Sequence, residues 1–140
     1  MDWVIDCSCA AALFLPDESS SKVKSFISDL PEDSTLWIPA LWWYEMTNVL
    51  TVAERKNRIS HSEILKIIHL FDQFNLNTDN SSGAQFSNKV YELTRLYKLS
   101  AYDATYLELS MRKEAGLASL DKQLLNATKE AGVKVFDQGI

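Results

Sequence analysis

Several things are scarce in this 140-residue sequence, and each scarcity closes a route. Only two cysteines are present, Cys7 and Cys9, one residue apart. They cannot staple loops into a disulfide scaffold, and a reducing cytoplasm fits them. Four glycines and three prolines exclude a fibrous or loop-dominated architecture. The longest nearly apolar run, Leu36 to Tyr44, is interrupted by Pro39 and is far too short to cross a bilayer. Met1-Asp2 opens without a basic segment, so neither a secretory signal nor a membrane anchor is expected. Basic residues are outnumbered, 14 Lys and Arg against 19 Asp and Glu, for a net charge of −5. Nucleic-acid binding by charge alone needs clustered cations and is disfavoured. An enzyme that reaches nucleic acid through a bound metal is not.

What is present suffices for one ordinary domain over residues 1–140. The residues are 46% apolar and 24% charged, a balance typical of a globular chain. A chain of this length buries about 70% of its unfolded surface and needs no structural metal to hold a core. Short apolar strands alternate with amphipathic helices, which predicts an α/β fold with a mostly parallel sheet. Strands are expected at 3–5, 36–38, 117–120 and 133–136, with a short edge strand at 74–77. Helices are expected at 8–15, 22–29, 40–55, 61–71, 84–98, 101–113 and 121–131, with a polar turn at 17–21. Ser60 and Glu63 have capping-box spacing, Ser100 reads as an N-cap, and Gly116 and Gly132 read as helix stops.

Four acids stand out against this pattern. Asp6 ends the first strand and Asp121 the strand 117–120, so both would face the crevice beyond the carboxyl ends of a parallel sheet. Either is equally at home as a routine helix N-cap. At about 100° per residue, Leu41, Val52, Val49, Trp42, Ala53, Met46 and Leu50 share half a turn of their helix. Glu45 sits inside that arc, between Val52 and Val49. A lone charge there is costly, so it must be paired, protonated or bound to a cation. Asp103 lies in the first turn of its helix, where an acid suits the positive helix end, yet it also falls on an inward face.

Were the four to meet at one sheet edge, they would repel unless a divalent cation offset them. Carboxylates without a histidine cluster suit Mg²⁺ or Mn²⁺ rather than zinc. Such ions hold phosphates and activate water, which leads to a phosphodiester substrate.

The segments around these acids resemble the PIN-domain ribonucleases, and among them the VapC-type toxins of toxin–antitoxin pairs. The matching pieces are Val4-Ile5-Asp6-Cys7-Ser8, Trp43-Tyr44-Glu45-Met46-Thr47-Asn48-Val49-Leu50, Leu99-Ser100-Ala101-Tyr102-Asp103-Ala104-Thr105-Tyr106 and Leu117-Ala118-Ser119-Leu120-Asp121-Lys122. Ala131 to Phe136 also fits, so the likeness spans nearly the whole chain. The resemblance implies an α/β/α sandwich that binds one or two Mg²⁺ or Mn²⁺ ions and cleaves single-stranded or looped RNA to 5′-phosphate and 3′-hydroxyl products. It implies a small antitoxin as partner and a homodimer. It carries over Asp6, Glu45, Asp103 and Asp121 as the catalytic, metal-binding carboxylates, with Ser8 as a supporting hydroxyl. Cys7 and Cys9 beside Ser8 are expected to be small buried apolar side chains.

Other features carry less. His61 and His69, eight apart on one expected helix, read as surface and core-edge residues rather than a catalytic pair. Arg55, Lys56 and Arg58 form the densest basic patch, which a solvated helix end explains. Trp43 and Tyr44 lie outside the apolar arc, where exposed aromatics often mark a partner surface. A catalytically inert PIN-like binding module is the alternative, and the complete acid set argues against it. A phosphoacceptor receiver would need an acidic neighbour beside Asp6, and an aspartate-nucleophile phosphatase a second Asp where Ser8 stands.

Overall fold

A computed structural model describes residues 1–16 and 20–136. Five parallel strands form one sheet: β1 Trp3–Ile5, β2 Leu36–Pro39, β3 Leu76–Asp79, β4 Gly116–Ala118 and β5 Val135–Phe136. Their order across the sheet is β3-β2-β1-β4-β5, with Ile5 opposite Ala118 and Pro39 opposite Asp79. The helices are α1 Cys7–Phe14, α2 Ser21–Ser28, α3 Ala40–Arg55, α4 His61–Phe71, α5 Ala84–Tyr97, α6 Ala101–Lys113 and α7 Lys122–Glu130. The chain winds outward from β1 to β3, then crosses back through α5 and α6 to enter β4 on the other side of β1. Right-handed crossovers therefore put α1 to α4 on one face and α5 to α7 on the other. The expected three-layer α/β/α sandwich is what forms.

This winding sets a topological switch point between β1 and β4, where neighbouring crossovers diverge to opposite faces and open a crevice. Burial on both faces explains why the central strands read as unbroken apolar runs. Val4, Ile38 and Leu117 are fully buried, and Trp42, Met46, Leu107 and Leu124 close over them from the helices.

Several local expectations need correction. The edge strand begins two residues late, at Leu76, because residues 72–74 form a 3₁₀ turn and Asn75 takes a left-handed conformation. Phe74 is drawn off the sheet to pack edge-on against Phe14, ring centroids 5.0 Å apart. Strand β4 ends at Ala118 rather than Leu120, since Ser119 and Asp121 turn the chain into α7. Helix α6 stops at Glu114 (φ 52), not at Gly116. Gly116 opens β4 instead, where an added Cβ would lie 2.5 Å from the Trp3 ring. The capping box at Ser60 and the cap at Ser100 form as read. Of the polar turn at 17–21, residues 17–19 lie outside the described ones.

Both histidines are exposed, His69 included. Trp43 is only partly exposed: its indole donates to Thr78 Oγ1 at 2.9 Å and its ring packs on Trp42 and Phe71. Tyr44, at 77% exposure, is the freer aromatic of the pair.

Candidate active site

The carboxyl end of β1 delivers Asp6 directly to the switch point. Its backbone N–H still extends the ladder to Ala118, at 3.1 Å, while its side chain caps α1 by accepting from the Cys9 N–H at 3.0 Å. The cap is only part of its role. Ser8 Oγ donates to Asp6 Oδ1 at 2.7 Å, and Ser119 Oγ donates to Oδ2 at 2.5 Å. Register makes the second bond, because Ile5 lies opposite Ala118 and the next residue of each strand follows in step. The carboxyl group is almost wholly buried. Burial pushes its pKa up; the bonds from Ser119, Cys9 and Ser8 oppose this, and the charge of Asp121 adds to it.

Asp121 caps α7 with Oδ1, which accepts from the Gln123 and Leu124 N–H groups. It stands three residues beyond β4, not at the strand's end as expected. Ser119 Oγ also accepts from the Asp121 N–H at 3.0 Å, and Ser8 Oγ from the Leu120 N–H at 2.9 Å. Two hydroxyls thus tie the ends of β1 and β4 together around the Asp6 carboxyl.

Glu45 enters from the second turn of α3. It is half-buried rather than submerged, so the apolar arc overstated its depth. Its Oε1 accepts from the Tyr106 hydroxyl at 2.5 Å and lies 3.9 Å from the Cys7 thiol. Burial pushes both the Cys7 and Cys9 thiols up to about 12, which fits small inert side chains and speaks against a thiolate ligand.

Asp103 rides in the first turn of α6, where its N–H donates to the Ser100 cap. Its carboxylate takes no protein hydrogen bond among the described residues. Burial pushes its pKa up to about 6, and the charges of Asp121, Asp6 and Glu45 all add to the rise. Asp103 therefore feels the charges of the other three acids.

They do not close into a ready cage. Among the described residues, no three His, Cys, Asp or Glu side chains are grouped to grip an ion as they stand. The donor set nonetheless fits Mg²⁺ or Mn²⁺, which take hard oxygen ligands. Mg²⁺ commonly keeps several waters and touches only one or two carboxylates. A hydrated ion would need a looser ring than a cage provides.

Two members of the site escaped the sequence reading. Ser119 is fully buried against Asp6, and its sequence signal was its place two residues before Asp121, mirroring Ser8 two residues after Asp6. Tyr106 drew no comment of its own, and nothing in its helical position announces a hydroxyl that donates to Glu45.

Residues 3–130 match the model of the PIN domain. The chain belongs to the PIN-domain family. It is 28% identical over 124 residues to Ribonuclease VapC3 of Pyrobaculum aerophilum, covering 89% of this chain and 92% of that one. The crystal structure of PAE2754, also from Pyrobaculum aerophilum, shares the fold with a TM-score of 0.71 at 20% identity, over 96% of this chain and 89% of that chain. VapBC2 of Rickettsia felis, bound to a DNA fragment from its promoter, shares it with a TM-score of 0.70 at 12% identity, over 98% of each chain. Among the described residues, no helix of this PIN-domain protein is long and apolar enough to cross a membrane.

Proposed function

We propose that this chain is a single-domain, divalent-metal-dependent endoribonuclease over residues 1–140, acting in the cytoplasm as the toxin of a toxin–antitoxin pair. The observation that carries the reading is the coupling of four acids beside the β1/β4 switch point, where Asp103 is pushed up first by burial and then by the charges of Asp121, Asp6 and Glu45. Perturbed acids in a crevice are a mark of function. Family membership and the likeness to a relative named as a ribonuclease supply the substrate class. A small antitoxin as partner follows the VapBC likeness, and a homodimer follows the family resemblance.

Asp6, Glu45, Asp103 and Asp121 would hold Mg²⁺ or Mn²⁺. The ion, when bound, polarises the scissile phosphate and lowers the pKa of a water. The chain's own residues do the rest. Ser8, Ser119 and the Cys9 N–H lock the Asp6 carboxyl in one orientation. Tyr106 holds Glu45 by Oε1. Asp103, whose carboxylate takes no protein hydrogen bond among the described residues, would be the group that accepts the proton of an attacking water.

The test is cleavage of a panel of defined RNAs by the purified protein with Mg²⁺, with Mn²⁺ and with chelator. Cuts leaving 5′-phosphate ends that vanish with chelator are expected. Undiminished cutting in chelator would overturn the metal-dependent mechanism, and an intact panel in every condition would overturn the nuclease reading.

A further inference from the structure

The acid cluster occupies only half of the sheet's carboxyl edge. Beyond the other half, at the ends of β2 and β3, lies an open cavity of about 460 Å³. Pro39 and Asp79, paired in register as the last residues of those strands, line it. Leu41, Phe86, Tyr91 and Tyr102 are among its walls, and the exposed Ser87 adds a hydroxyl at the rim. Tyr91 and Tyr102 are 58% and 62% exposed, and the Arg95 guanidinium lies over the Tyr91 ring at 5.9 Å from its centroid. Among the described residues no lysine or arginine lines the cavity, and its acid, Asp79, is already neutralised by Arg112.

Position decides what such a cavity suits. Leu41 is one helical turn before Glu45 on α3, and Tyr102 immediately precedes Asp103 on α6. One turn advances about 5.4 Å. Across the sheet, β2 is next to β1 and β3 is one further, at about 4.8 Å per strand. The cavity and the acid cluster thus share α3 and α6 and lie at the same edge of the sheet. An aromatic, hydroxyl-fringed and uncharged pocket is poorly matched to a phosphate and well matched to a flat heterocycle, whose faces stack on aromatic rings whatever the base.

We propose that this cavity is a nucleobase subsite, which receives the base of a nucleotide adjoining the scissile phosphate and stacks it on Tyr102 and Tyr91. The inference rests on the nuclease reading above and adds to it the means of gripping an RNA strand. A chain of net charge −5 then grips its substrate by stacking at the base as well as at the phosphate.

The experiment takes an RNA that the parent protein cuts and replaces each nucleotide flanking the cut, one at a time, by an abasic ribose. One position is expected to lose about tenfold in kcat/KM, within the range of a single stacked base. Tyr102→Ala with Tyr91→Ala should bring a similar loss on the intact RNA and make that abasic position cost nothing further. Tyr102→Phe should restore most of the rate by keeping the ring. A 4-thiouridine at the sensitive position should cross-link to Tyr102 or Tyr91 in the parent protein held in chelator. Equal abasic penalties in parent and double variant, with cross-links elsewhere, would overturn the subsite while leaving the nuclease intact. The same holds if the tyrosine changes alter only the protein's mass in light scattering, which would make the cavity a contact between copies. Failure to cut any RNA would sink both readings together. Both tyrosines are exposed, so the variants are expected to fold.

Discussion

Asp6 and Asp79 stand at the same edge of the same sheet, one just past β1 and the other at the end of β3. Their carboxyl groups are pushed in opposite directions. Asp6 is raised by burial and by the charge of Asp121, with only hydroxyls and an amide to hold it. Asp79 is lowered to about 2, chiefly by the Arg112 guanidinium, which meets its two oxygens at 3.0 and 2.8 Å. Arg112 is itself anchored one turn back by Glu108, at 2.8 Å. An acid paired this way braces β3 to α6 and is satisfied. A buried acid beside other acids is held in its charged form less firmly, and a bound cation would favour that form. The difference separates an architectural carboxylate from the proposed reactive ones, and burial and neighbouring charge both contribute to it.

The largest expected break of that comparison is Asp6→Asn. The change removes the charge and keeps the shape. The amide oxygen still accepts, and the Ser8 and Ser119 hydroxyls can rotate to receive the new N–H groups. Cleavage should fall by about a thousandfold or more, in the range of lost catalytic groups, while the thermal midpoint shifts little. A variant that cuts RNA at the parent rate would remove Asp6 from the mechanism.

Mn²⁺ alone should sharpen the contrast without any RNA. An ion that binds the folded state only, at a hundred times its dissociation constant, adds about 2.7 kcal/mol. For a chain of this size that is roughly 8 °C in the melting midpoint. The gain should shrink in Asp103→Asn and persist in Asp79→Asn. Equal gains in both would place the ion elsewhere.

Next in size is Tyr106→Phe. Deleting the hydroxyl leaves Glu45 Oε1 without its donor in a half-buried site, at about 1–2 kcal/mol. Residues that orient a metal ligand typically carry 10- to 100-fold in activity or affinity. Activity should drop by about tenfold, with a matching loss in Mn²⁺ affinity by calorimetry. A full-rate variant with unchanged affinity would reduce Tyr106 to packing.

Why some of this was legible in the sequence follows from what each feature depends on. Strand and helix order, the caps at Ser60 and Ser100, and the isolation of Asp6, Glu45, Asp103 and Asp121 depend on local pattern, which periodicity exposes. The bond from Ser119 to Asp6 depends on the register of β1 with β4, over 113 positions of separation. The bond from Tyr106 to Glu45 depends on how two helices cross, over 61 positions. Gly116 misled for a related reason. Its role is set by the Trp3 ring lying against it from the neighbouring strand, not by the helix that ends before it. Depth was the remaining gap. A helical wheel shows that Glu45 is on the inward side but not that it lies at the rim of the layer.

The smallest effect tests the architectural half of the comparison. Asp79→Asn should cost about 0.5–1 kcal/mol at neutral pH, the modest figure being set by the solvent that reaches the pair. The sign with pH follows from linkage. A carboxyl whose folded pKa lies near 2, below the ordinary value of 3.8, contributes stability that is complete above the ordinary value. That contribution is lost as the pH falls through about 2, so the parent and Asp79→Asn should converge in strong acid and separate above pH 4. Melts of both proteins in chelator, taken from acid to neutrality, read this directly. A gap that stayed constant across the range would mean that Asp79 contributes by shape rather than by charge, and the contrast with Asp6 would lose its electrostatic basis.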